Sequence, residues 1–177
     1  MRRYALLLAL LALLAGCGAR AGVPLEVARR RWETNLIEHY QLHVEQQTGG
    51  ASATCGQVTE VRLETFERLL SSTCADASPW TISSLFLYAA WMQADDGECM
   101  REVPGVGCVC RGDVEVRGDY DPSRGYPREL LIRYSWRANW QEQSYWRAAA
   151  LAGALPDCTP PRGAFERRLV VKTLTRL

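Results

Sequence analysis

The order of apolar and polar residues divides the chain into segments of different period. Behind Met1-Arg2-Arg3-Tyr4, an unbroken apolar stretch of roughly twelve residues runs to Leu14-Ala15-Gly16-Cys17, short of the ~20 residues that a spanning helix needs. From Pro24 onward, Leu25, Ala28, Trp32 and Leu36 recur at spacings of three and four, while Arg29, Arg30, Arg31 and Glu33 fall off that stripe. This predicts a helix from Pro24 to about Glu38. The period then drops to two. Tyr40, Leu42 and Val44 alternate with Gln41, His43 and Glu45, which predicts a strand ending near Thr48-Gly49-Gly50. Thr59, Val61 and Leu63 alternate with Glu60, Arg62 and Glu64, and a second apolar run from Phe66 to Leu70 leads to Cys74, so a hairpin is expected. Thr81 is placed to cap a second helix, with Ile82, Leu85, Phe86, Ala89 and Gln93 on one face and Tyr88 and Trp91 on another.

Asp95 to Gly107 reads as a loop. Val114, Val116 and Tyr120 alternate with Asp113, Glu115, Arg117 and Asp119, the pattern of a half-buried strand. A turn over Asp121 to Pro127 leads to a return strand of Leu130, Ile132, Tyr134 and Trp136. A third helix over Tyr145 to Ala154, an irregular stretch from Pro156 to Gly163 and a closing strand from Leu169 to Leu174 complete the chain. Strands in hairpins with helices inserted between them predict the α+β class. The expected architecture is an antiparallel sheet of five to six strands with two or three helices on one face and the other face open to solvent. Residues 24–177 are expected to form one domain.

The first segment bears on location. The box Leu14-Ala15-Gly16-Cys17 resembles the lipobox of bacterial lipoproteins, which implies that residues 1–16 are a removed signal peptide and that Cys17 is lipidated. Residues 17–23 would then be the lipidated cysteine and a tether reaching at most ~20 Å. At ~0.8 kcal/mol per buried CH₂, two or three acyl chains hold such a protein on a bilayer almost permanently. Gly18 directly after the cysteine resembles outer-membrane lipoproteins, so the expected place is the cell envelope, on the outer membrane and facing the periplasm. The remaining six cysteines, Cys55, Cys74, Cys99, Cys108, Cys110 and Cys158, read as three disulfides in an oxidising compartment. Cys55 with Cys74 is the best supported pair, because it clasps the two ends of one hairpin. Cys99 with Cys108 and Cys110 with Cys158 are preferred for the rest, although their partners can be exchanged.

The chain has 21 Lys+Arg against 20 Asp+Glu, and loss of Arg2 and Arg3 with the signal leaves a mature net charge near −1. Both signs are interleaved, so no nucleic-acid surface or polybasic membrane patch is implied. Arg31-Trp32 with Asn35 and His39-Tyr40, Trp80-Thr81-Ile82 with Leu85-Phe86, and Tyr120-Asp121-Pro122 with Gly125-Tyr126-Pro127 resemble the DUF6174 family of exported bacterial proteins. The resemblance spans roughly Arg29 to Trp136 and implies no activity, since that family's function is unknown. The segment from Asn139 to Cys158 goes beyond the pattern.

Candidate chemistry is sparse. His39 and His43 are the only histidines. The change of period between them places one at a helix end and the other on a strand, which argues against a shared zinc ion. Cys108-Val109-Cys110 fits structural disulfides better than a redox or metal motif. There is no Gly-x-Ser-x-Gly elbow, and the acidic pairs Asp95-Asp96 and Asp113 with Glu115 read as solvated surface. No catalytic set, cofactor or metal is therefore expected.

What remains is aromatic. Tyr134 and Trp136 fall on the core face of their strand, whereas Tyr88, Trp91, Trp140 and Trp146 are the candidate binding residues. The expected function is a non-catalytic envelope lipoprotein that binds or scaffolds another envelope component, with a small-ligand, glycan or inhibitor-like module as the alternative and an enzyme third. A contiguous apolar patch at Tyr88 and Trp91 would favour the first. A concave pocket lined by Trp140 and Trp146 would favour the second, and a buried acid–base pair in a cleft the third.

Overall fold

The computed structural model describes residues 23–49, 54–75 and 78–177. The expected signal peptide, Cys17 and all of the tether but Val23 lie outside the described residues. Ten elements follow one another: α1 (Leu25–Thr34), β1 (His39–Thr48), β2 (Thr54–Arg62), β3 (Thr65–Ser72), α2 (Ile82–Ala94), β4 (Cys99–Val103), β5 (Gly107–Tyr120), β6 (Pro127–Ala138), α3 (Gln143–Ala152) and β7 (Phe165–Arg176). The strands form one seven-stranded sheet in the order β3-β2-β1-β7-β6-β5-β4, and every neighbouring pair is antiparallel. The class is α+β, as expected, but the sheet has seven strands instead of five to six. The additional strand is β4, inside the segment read as a loop. Its Cys-Met-Arg-Glu-Val has no alternation, and it is held by its ladder with β5 and by the Cys99–Cys108 disulfide.

Alternation assigns the two sheet faces. Tyr40, Leu42, Val44, Val61, Leu130 and Leu169 turn toward α1 and α2 and form the main core with Ala28, Trp32, Ile82, Leu85, Phe86, Ala89 and Tyr120. On α2 the buried stripe closes with Met92, whereas Gln93 is exposed. Met92 lies three residues beyond Ala89 and seven beyond Leu85, so the apolar side chain continues the stripe. The opposite face carries cross-strand ion pairs: Lys172 with Glu45 at 3.0 Å, Arg168 with Glu129 at 2.7 Å, and Arg133 with both Glu166 and Glu115. The third helix, α3, packs beside the start of β5, where Tyr145 and Ala148 join Val109 and Cys110 in a second, smaller cluster. The disulfides join Cys55 to Cys74, Cys99 to Cys108 and Cys110 to Cys158.

The Asp121–Tyr126 turn has a structural job. Asp121 Oδ1 accepts from the Ser123 hydroxyl at 2.6 Å and from the amides of Ser123 and Arg124. Burial alone would push this carboxyl up, but those hydrogen bonds outweigh it and hold it below the usual carboxylate range. Gly125, at φ +85°, lets the turn seat on α1, because a Cβ there would lie 2.2 Å from the Ala28 carbonyl oxygen. Arg31 donates to the Pro122 carbonyl at 2.7 Å, and the Tyr126 and Trp32 rings meet edge-on at 6.2 Å.

Candidate functional site

Beneath the C-terminal half of α2, the ends of β1, β6 and β7 leave a cleft of about 580 Å³. Tyr88 and Trp91 are three residues apart on α2 and so share a helix face, with ring centroids 6.3 Å apart. From β7, Phe165 and Arg167 alternate with Glu166 and so point to the α2 side of the sheet. Tyr134 of β6 is the register partner of Phe165, and the two rings stack at 5.2 Å. Pro160, Pro161 and Arg162 close one side, and Thr48 and Asp95 complete the wall. Tyr88 is held from behind by Trp80, whose ring lies 5.6 Å away, whereas Trp91 is 63% exposed at the mouth.

Arg167 lies between two rings, its guanidinium carbon 5.4 Å from the centre of Tyr88 and 5.6 Å from that of Phe165. One of its terminal nitrogens, Nη1, donates to the Tyr88 hydroxyl at 2.9 Å. Its Nε is buried and has no hydrogen-bond partner, and among the described residues no carboxylate lies within ion-pair distance of it. Burial pushes the Tyr88 phenol up while the Arg167 charge opposes it, so at neutral pH the phenol keeps its proton, accepts from Arg167 and can still donate.

The four aromatic candidates divide into two separate pairs. Tyr88 and Trp91 line a concavity, and Trp91 is exposed at its mouth. Trp140 lines a different hollow with Arg111, Arg137, Asn139, Gln141 and Glu142. Trp146 is not part of that hollow, so no pocket lined by both tryptophans forms there. It donates through Nε1 to the Trp140 carbonyl at 2.8 Å and meets Tyr145 edge-on at 5.3 Å. Tyr134, assigned to the core face, is half-buried and lines the cleft. Phe165 and Arg167 were missed in the sequence: they precede the apolar run Leu169 to Leu174, and an arginine on the apolar parity of a strand is the signal that could have found them.

Both histidines stand on β1, so His39 opens the strand instead of ending α1. Four steps of strand rise set their Cα atoms ~13 Å apart, too far for one ion. His39 bonds the Glu60 carboxylate through Nε2 at 2.7 Å, and Arg62 approaches its Nδ1 at 3.3 Å. Nδ1 therefore accepts and Nε2 carries the proton in this network. The donor atoms of His39, Glu60 and Glu67 lie within 4.8 Å of one another. Arg68 on Glu60 and Arg62 on Glu67 already neutralise those carboxylates, which makes the cluster an ion-pair network. His39 first, then Arg68, holds the Glu60 carboxyl below the usual range.

Tyr40 is fully buried, and its hydroxyl donates to Glu64 at 2.8 Å and accepts from the Ile82 amide. The other Glu64 oxygen accepts from the Ser83 amide at 2.7 Å, which ties the β2–β3 turn to the first turn of α2. Burial, and then the Glu64 charge, push the Tyr40 phenol well above its ordinary value. This is a structural tie and not an acid–base pair in a cleft. No family model, curated protein or solved structure matches this chain.

Proposed function

We propose that this protein is a non-catalytic lipoprotein of the bacterial cell envelope, anchored through Cys17, whose domain binds another envelope component in the aromatic cleft. The observation that carries the reading is the concave wall of Tyr88, Trp91, Tyr134 and Phe165 around a half-buried arginine. Exposed aromatic anchors in a concavity, with a small number of polar groups among them, are the usual makeup of a binding site. Membership of the DUF6174 family belongs to this proposal and rests on the residues quoted for it. So does the outer-membrane location, with the domain facing the periplasm.

Two measurements test the reading. Cys17→Ser is expected to move the protein from the membrane fraction to the soluble fraction of lysed cells; an unchanged distribution overturns the anchor. Sedimentation of the purified protein without its acyl chains, in the Cys17→Ser background, with isolated envelope material is expected to fall at least ~10-fold on adding Trp91→Ala, a loss of about 1.4 kcal/mol. Equal sedimentation of the two proteins overturns the cleft.

A further inference from the structure

We infer that the component taken by the cleft is an acidic saccharide: a pyranose ring stacked on Trp91, with its carboxylate received by Arg167. The inference rests on the cleft being the binding site and adds the ligand's chemistry. Two other arginines on these strands pair with carboxylates, whereas Arg167 buries its Nε without a partner among the described residues. Its neighbour Arg168 grips Glu129 through two nitrogens at 2.7 and 2.8 Å, and Arg133 holds Glu166 and Glu115 at 2.6 and 3.1 Å. Arg167, on the other face of the same strand, has among the described residues an acceptor only in the Tyr88 hydroxyl and leaves its buried Nε unused. A buried guanidinium N–H without an acceptor is costly, and a ligand carboxylate would supply the missing charge-assisted bond. Arg162 adds a second cation to the wall, against the single carboxylate of Asp95, so the cleft is complementary to an anion.

The rest of the wall selects a ring over a peptide. Trp91, 63% exposed, offers a flat apolar face of the kind that stacks on the C–H face of a sugar. Asp95 and the Tyr88 hydroxyl can meet sugar hydroxyls. An extended peptide needs a row of free backbone donors and acceptors. Here β6 and β7 are interior strands whose backbone groups are used in the ladders with each other and with β1 and β5. The cleft's volume falls in the range of small-ligand sites.

The test uses the full mature protein, followed by tryptophan emission and calorimetry. The probes are oligogalacturonates, hyaluronan oligosaccharides and N-acetylmuramyl saccharides, each beside its methyl ester, which keeps the ring and removes the charge. At least one acid is expected to bind at least ~10-fold more tightly than its ester, with affinity falling as salt rises. Arg167→Gln is expected to remove that preference. Because Arg167 also holds Tyr88, Arg162→Gln at the exposed rim serves as a second variant and is expected to weaken the acid about threefold without changing the circular dichroism. Equal binding of acid and ester overturns the inference and leaves the cleft reading intact. No binding by any probe, with Trp91→Ala still losing envelope sedimentation, does the same. If no probe binds and Trp91→Ala sediments like its Cys17→Ser parent, both readings fall.

Discussion

Leu63 and Glu64 form the two-residue turn between β2 and β3 with φ of 48° and 60°, a left-handed backbone that asparagine and glycine adopt at less cost. Glu64 repays the strain through its bonds to Tyr40 and Ser83, but Leu63 is 63% exposed and forms no part of the core cluster. Leu63→Asn is therefore expected to stabilise the protein by about 0.5–1 kcal/mol, read as a rise in the urea midpoint with unchanged slope. Gly125 is the opposite case. Its positive φ and the 2.2 Å approach to α1 leave no room for a methyl group, so Gly125→Ala is expected to cost about 2 kcal/mol or more in the same assay. Neither position stands out by hydrophobic pattern alone. Gly125 is legible as a turn glycine, but its closeness to Ala28 is a tertiary fact.

At the scale of elements, periodicity marked the helices and most strands because each buries one stripe or one face. β1, β6 and the second half of β5 alternate in sequence, and their solvent-side positions carry the charges that pair across the sheet. β4 escaped because it is a short edge strand of five residues whose exposed positions do not alternate with buried ones. Half of the candidate site was legible in the same way. Tyr88 and Trp91 stood off the buried face of α2, but the concavity between them and Phe165 depends on which strand ends lie beneath that helix, and spacing along the chain does not encode that. The disulfides close sequence separations of 19, 9 and 48 residues. In the chain-entropy model the 48-residue closure contributes ~4 kcal/mol and the 9-residue closure ~2.6 kcal/mol. The Cys110→Ala, Cys158→Ala double variant is thus expected to lose more thermal stability than the Cys99→Ala, Cys108→Ala variant. Calorimetry on the oxidised proteins checks the order.

Acid response belongs to the whole molecule, since the carboxylates concerned lie on β2, β5 and β6, on both sides of the central strands β1 and β7. His39 and Arg68 lower Glu60, mainly Arg117 lowers Glu115, and Arg168 lowers Glu129. A carboxyl with a depressed folded pKa stabilises the fold above its unfolded value and loses that contribution as pH falls through the folded one. Stability is therefore expected to decline on acidification below the ordinary carboxylate range. Glu60→Gln should be less stable than the native protein at pH 7 and should converge with it in strong acid; urea unfolding along a pH series measures the gap.

The sheet order has a consequence in time. β7 follows the other six described strands in the chain and so is synthesised after them, yet it lies in the middle of the sheet, between β1 and β6. Until it arrives, the nascent chain can build only two separate three-stranded meanders, each with one long unpaired edge. Residues 165–176 join the meanders and at the same moment deliver Phe165 and Arg167 to the cleft. A chain stopped short of β7 would have neither a continuous sheet nor the aromatic cleft, so residues 165–176 complete both in one step.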